Sequence, residues 1–264
     1  AAWVHSKAKK TAMFAGSSGS ISRTECATTA AFSPQSRAEL KSAVDECLKL
    51  CPNGDCSDGP HGPIAEWDVS RIADMSNMFY YAKIFNGDLS KWDVSNVRVM
   101  YDMFLGAAAY NGDLSKWDVS SVTFMSFLFM RATSFNANIS KWDVSRVRDM
   151  TSMFSETSFN GDLSKWDVSN VDNIESMFSG ANLFNSDLSV WDVSNVMTMD
   201  YMFSNTARFQ RTLCRAPWVH SKATKIEMFA GSAGKMCIRS GTGQAPWVGS
   251  GSYKRTSLRS PCIC

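Results

Sequence analysis

The sequence predicts an α/β solenoid in which short parallel strands and short helices stack repeat upon repeat between two caps. Three observations predict it. The tetrapeptide Trp-Asp-Val-Ser occurs six times, starting at Trp67, Trp92, Trp117, Trp142, Trp166 and Trp191, at intervals of 25, 25, 25, 24 and 25 residues. Degenerate copies starting at Trp3, Trp218 and Trp247 account for the rest of the nine tryptophans. Within each unit the apolar residues recur at fixed offsets, as Val97, Met100, Met103 and Phe104 do after Trp92. A unit this short cannot bury its own apolar face, so it must stack on its neighbours.

Residues 1–26 repeat the segment that ends at Cys237, with Met13-Phe14-Ala15-Gly16-Ser17 matching Met228-Phe229-Ala230-Gly231-Ser232. They are expected to be the C-terminal cap of a preceding module. Residues 27–63 predict a helical N-terminal cap. Ser33-Pro34 starts the helix with Pro in its first position, Ala38, Leu40, Val44 and Leu48 face inward, and Pro52-Asn53-Gly54 ends it.

Residues 64–213 hold the six regular repeats. In the second, Ser95 is placed as an N-cap before a helical stripe over Val97, Met100, Met103 and Phe104, which recurs as Ile72, Met75, Met78, Phe79 and as Val147, Met150, Met153, Phe154. Asn111-Gly112-Asp113 supplies a turn, and Leu114 to Val119 predicts a strand with Trp117 and Val119 on one face. Parallel stacking at ~4.8 Å would align Asp68, Asp93, Asp118, Asp143, Asp167 and Asp192 in rungs, with Lys91, Lys116, Lys141 and Lys165 beside them. Residues 214–237 form a cap repeat and residues 238–264 a tail with a partial repeat.

Composition narrows the function. With 44% apolar residues the chain is not wholly disordered, and a net charge of +2 argues against a nucleic-acid partner. The longest apolar stretch, Phe124 to Met130, is interrupted by Ser126 and far too short to span a membrane. Residues 64–213 carry 12 Lys/Arg against 18 Asp/Glu, whereas residues 214–264 carry 8 against 1, so basic ends flank an acidic middle. The chain starts at Ala1 with no basic or apolar leader, which suggests a processed chain or an excerpt. Only three histidines occur, His5, His61 and His220, with no phosphate loop, nucleophile elbow or H-E-x-x-H, so neither an enzyme nor a cofactor is expected.

The eight cysteines, at 26, 47, 51, 56, 214, 237, 262 and 264, all avoid the six regular repeats, a placement that suits disulfide-stapled caps in an oxidising compartment. Cys214 and Cys237 bracket one degenerate repeat and are expected partners. The counterpart of Cys214 for Cys26 would lie before residue 1, so Cys26, Cys262 and Cys264 are candidates for an intermolecular bond. Cys47, Cys51, Cys56 and His61 also read as C-x3-C-x4-C-x4-H, a zinc spacing that matches no common finger. The methionine and tryptophan columns read as core, not as metal ligands or a stacking platform. The Asn-Gly-Asp turns read as turns before calcium sites. Asn138-Ile139-Ser140 is the only glycosylation sequon.

The phrase Asp-Leu-Ser-Lys-Trp-Asp-Val-Ser-Asn-Val, followed by Met-x-x-Met-Phe and Phe-Asn-Gly, resembles the BspA-like bacterial surface-protein repeat, a leucine-rich-repeat relative that is also abundant in marine microalgae. The resemblance covers residues 64–213, and Pro34 to Ile64 and Cys214 to Cys237 resemble capping segments of algal members. It implies a leucine-rich-repeat-like solenoid and a secreted or surface protein, some bacterial members being adhesins. Because relatives more often carry Ser at position 51, it also implies a Cys47–Cys56 bond. Two functions are expected. One is an extracellular structural protein that self-associates head to tail into a filament, its C-terminal segment packing on residues 1–26 of the next copy. The other is an adhesion module whose strand face binds a protein or glycan. Monotonous outward Lys-x-Asp columns favour the first.

Overall fold

The computed structural model describes residues 31–237; Trp3, Cys26, Trp247, Cys262 and Cys264 lie outside them, as do the segments 1–26 and 238–264. Helix α1 spans Arg37–Leu50. Its start is set by Ser36, whose hydroxyl accepts the Glu39 amide at 3.2 Å, while the Glu39 carboxylate accepts the Gln35 amide at 2.8 Å. The helix therefore begins after Ser33-Pro34. Its buried face is Leu40, Ala43, Val44 and Cys47, at i, i+3, i+4 and i+7. Ala38 is exposed, because residues two apart on a helix cannot share a face. Arg37 donates to the Ser76 carbonyl at 2.7 Å and lies 3.4 Å from the Asp74 carboxylate, tying α1 to the first repeat.

Six parallel bridges then link Asp74, Val99, Phe124, Asp149, Asn173, Thr198 and Thr224, each to the next. The amides of Met100, Asp102, Phe104 and Gly106 donate to the carbonyls of Phe124, Ser126, Leu128 and Met130 at 2.8–3.1 Å, and every junction between repeats carries the same set. Every second amide thus points to the next repeat, while residues between close i→i+3 turns, as Met103 does onto Met100. That alternation needs left-handed backbone at Asp102 (φ 58°) and Gly106 (φ 70°), and at their equivalents, including the non-glycine Phe127 and Tyr201.

The secondary structure inside the repeat differs from the sequence expectation. No helix forms over Val97 to Phe104, because the amides that would bond i→i+4 are taken by the neighbouring repeat. Leu114 to Val119 is not a strand. There the Trp117 amide folds back onto Leu114, and the carboxylates of Asp113 and Asp118 take the Ser115 and Ser120 amides. Likewise Ser95 gives its amide and hydroxyl to Asp93 instead of capping a helix. Parallel pairing therefore sits in the segment read as helical.

Trp92, Val94, Val97, Met100, Met103, Phe104, Tyr110 and Leu114 are buried, and each is aligned with its equivalents in other repeats to form one continuous core. Phe104 and Phe129 lie 5.5 Å apart at 10°, and Phe129 and Phe154 lie 5.9 Å apart at 15°. From the second repeat on, each indole reaches back one repeat: Trp92 Nε1 donates to Ile64 at 2.9 Å, Trp117 to Leu89 at 3.0 Å and Trp142 to Leu114 at 3.0 Å, whereas Trp67 donates to Gly62 at 3.2 Å. Tyr110 replaces the Phe of the column Phe85, Phe135, Phe159, Phe184 and Phe209. Its hydroxyl is buried without a partner, and that burial pushes its pKa well above the ordinary tyrosine value. Tyr110→Phe should therefore raise stability by about 1 kcal/mol, since an unsatisfied buried polar group costs roughly 1–3 kcal/mol; an unchanged or lower urea midpoint would contradict this.

At the C-terminal end β1 (Thr212–Leu213) pairs in parallel with β2 (Lys235–Met236), and α2 (Ala216–His220) carries the buried Trp218. Here Lys225 stands where Met199 stood, and Gly234 where Phe209 stood. Lys225 Nζ donates to the carbonyls of Ser221 and Ala223 at 3.0 and 2.7 Å, and burial lowers its pKa. A side chain at 234 would strike the Phe209 ring, its Cβ 2.4 Å away. Both columns end at this unit.

Candidate recognition face

The segment that carries the parallel bridges turns one side to the core and the other to solvent. Its core side is uniform: Met75, Met100, Met125, Met150, Ile174 and Met199 occupy one column. Its outer side is not. The bridge column reads Asp74, Val99, Phe124, Asp149, Asn173 and Thr198, and the column two residues on reads Ser76, Tyr101, Ser126, Thr151, Glu175 and Asp200, its two small serines at 76 and 126 being buried. By contrast the Trp-Asp-Val-Ser segment keeps its exposed Asp in all six copies. These two columns vary between repeats where that Asp column does not.

Large apolar side chains are exposed in its first three repeats: Tyr80 at 50%, Tyr81 at 41%, Ile84 at 61%, Tyr101 at 40% and Phe124 at 45%. Tyr81 lies across Gly106, where an added Cβ would come within 2.8 Å of the ring, so glycine is what lets the tyrosine lie flat. Tyr80 meets it edge-on at 4.7 Å. The Arg131 guanidinium approaches the Tyr81 hydroxyl at 3.4 Å and pairs with Glu156 at 3.2 Å. The following repeats present Thr151, Glu175 and Asp200 at these positions, with Tyr201 exposed at 37% in the sixth. Comparing the copies column by column between residues 74 and 81 would have revealed this surface; attention to the Lys-x-Asp segment missed it.

The Asn-Gly-Asp turns are hydrogen-bonding elements in their own right. Asn86 Oδ1 accepts the Asn111 amide at 2.9 Å, Asn111 that of Asn136 at 2.8 Å, Asn136 that of Asn160 at 2.9 Å and Asn160 that of Asn185 at 2.7 Å. The sequence showed the turns but not this ladder, whose partners are 24 or 25 residues apart. Beside it, hydrogen bonds from the following serine hydroxyl and then amide hold Asp88 and Asp113 below the usual carboxylate range; for Asp162 and Asp187 the amide contributes most.

A carboxylate with a lowered folded pKa contributes stability above its unfolded value of about 3.9, and that contribution is lost as pH falls through the folded value. Asp113→Asn keeps the acceptor oxygen but cannot titrate. The quadruple Asn variant at 88, 113, 162 and 187 should therefore lose less stability than the parent between pH 7 and pH 3. Equal losses in urea titrations would refute this.

Cys47 is bonded to Cys56 and Cys214 to Cys237, with Cα separations of 5.4 and 4.7 Å. Bonded sulfurs offer no thiolate, which leaves only Cys51 and His61 of the zinc spacing. His61 packs on Phe32 with ring centroids 3.9 Å apart and lies 3.8 Å from Glu46. No group of three or more His, Cys, Asp or Glu is placed to hold a metal ion among the described residues. No helix among them is long and apolar enough to cross a membrane. Trp67, Trp92, Trp117, Trp142, Trp166 and Trp191 are all buried, and Asn138 is exposed.

No curated protein and no solved structure matches the chain. One family model matches twice, over residues 54–158 and 136–237, and so spans the end of the N-terminal cap, all six repeats and the terminal cap unit. This repeat protein belongs to DUF285, the family described as a Mycoplasma protein of unknown function.

Proposed function

We propose that this chain is a non-enzymatic extracellular repeat module, a right-handed leucine-rich-repeat-like solenoid at the cell surface, that binds a protein or glycan through the face carrying the parallel bridges. The observation that carries this is the contrast between a uniform core and a variable, aromatic-rich outer face over the same backbone segment. Packing demands sameness at core positions, whereas nothing in the fold requires Tyr80, Tyr81, Tyr101 or Phe124 to be exposed. The six in-register bridges support the solenoid, and the two disulfides support an oxidising compartment.

The test screens the full chain, the Tyr81→Ser/Tyr101→Ser double variant and the Lys116→Ala/Lys165→Ala control against arrayed glycans and cell-surface extracts. Binding by the parent and the lysine control, with at least about a tenfold loss (~1.4 kcal/mol) in the tyrosine variant, is expected. Equal binding by the tyrosine variant would sink the assignment.

The filament reading draws support from the uniform outward Asp column of the six repeats. Its end-to-end contacts fall on residues 1–26 and 238–264. A sedimentation coefficient that stays monomeric at every concentration would remove it.

A further inference from the structure

We propose that Asn138 carries an N-linked glycan, donated by a polyprenyl-diphosphate-linked oligosaccharide. The third repeat alone reads Asn136-Ala137-Asn138-Ile139-Ser140, where the first, second and fourth read Asn-Gly-Asp-Leu-Ser and the fifth Asn-Ser-Asp-Leu-Ser. Asn138 thus stands in the column of Asp88, Asp113, Asp162 and Asp187. Its Oδ1 does what those carboxylates do, accepting the Ser140 amide at 3.1 Å and the Ser140 hydroxyl at 2.7 Å. Ile139 is buried where the other repeats bury Leu, so the turn stays anchored in the core.

Exchanging carboxylate for amide therefore keeps both acceptor contacts of the turn, gives up only the charge, and adds one group, Nδ2. That nitrogen makes no hydrogen bond among the described residues, on a side chain exposed to solvent. Acceptor and donor are divided: the oxygen holds the fold and the nitrogen is free to be substituted. In the transfer, a bond forms between Nδ2 and the anomeric carbon, and the anomeric carbon–oxygen bond to diphosphate breaks. The lipid diphosphate leaves with the electron pair, and the amide gives one proton to a base of the transferase. The product keeps Oδ1 as an acceptor, so the Ser140 contacts survive modification.

The test secretes the full chain from a eukaryotic cell and compares intact masses before and after an amidase that releases N-linked sugar and leaves aspartate at 138. Asn138→Asp installs the residue of the other repeats, and Ser140→Ala removes the hydroxyl of the sequon; circular dichroism reports folding of both. A glycan mass on the parent, absent from both variants, is expected. A secreted parent of bare polypeptide mass, or a glycan that persists in Asn138→Asp, overturns the proposal, and neither result depends on whether the tyrosine face binds a ligand.

Discussion

Replacing Trp117 with alanine should lower the stability of the repeat array by about 3–5 kcal/mol, the range for a large aromatic removed from a packed core. Trp117 is only 4% exposed, stacks on Trp142 at 6.4 Å and 3°, and faces Phe104 at 6.4 Å. Its loss opens a cavity between two repeats that cannot close, because their separation is held by four amide–carbonyl bonds on the opposite side of the core. It also takes the indole donor from the Leu89 carbonyl, a buried contact of 3.0 Å. Trp117→Phe keeps much of the volume and loses only the donor, so it should cost markedly less. Urea denaturation followed by the remaining tryptophans measures both, and a change under about 1 kcal/mol for the alanine variant would be incompatible with the packing described.

Converting Cys214 and Cys237 together to alanine is expected to cost about 3 kcal/mol, from the chain-entropy cost of the released loop. The bond joins residues 23 apart and clamps β1 to β2 around α2. Behind it lie Phe203, Phe209 and Phe229, near-parallel rings at the end of their columns, so opening the clamp also wets them. The Cys47–Cys56 bond spans only 9 residues beside a well-capped helix, and its removal should cost less, about 2.5 kcal/mol. If the second pair proved the costlier one, loop closure would not be the main contribution.

The period and the core composition were legible in the sequence, because each repeat meets a neighbour of its own kind. A residue that packs well once packs well at every copy, and Trp, Val, Met and Phe recur accordingly. The start of α1 was also within reach: Ser36 followed three residues later by Glu39 is a local signal, and fixing the start there turns Leu40, Val44 and Cys47 inward and Ala38 outward.

What only the tertiary structure decided was the conformation inside the repeat. An apolar residue every third position satisfies a helix and a chain of i→i+3 turns equally. The choice between them lies with carbonyls about 25 residues away, which take the alternate amides and hold residues such as Asp102, Phe127 and Tyr201 in left-handed backbone. The same non-local bonding decides which side chains face out. The parallel pairing sets Tyr101 beside Ser76 and Asn77 and Tyr81 beside Leu105 and Gly106, neighbours about 25 residues away that leave both rings exposed. The asparagine ladder likewise exists only because each turn lies against the next, within hydrogen-bond reach of an amide that no local rule would pair with it.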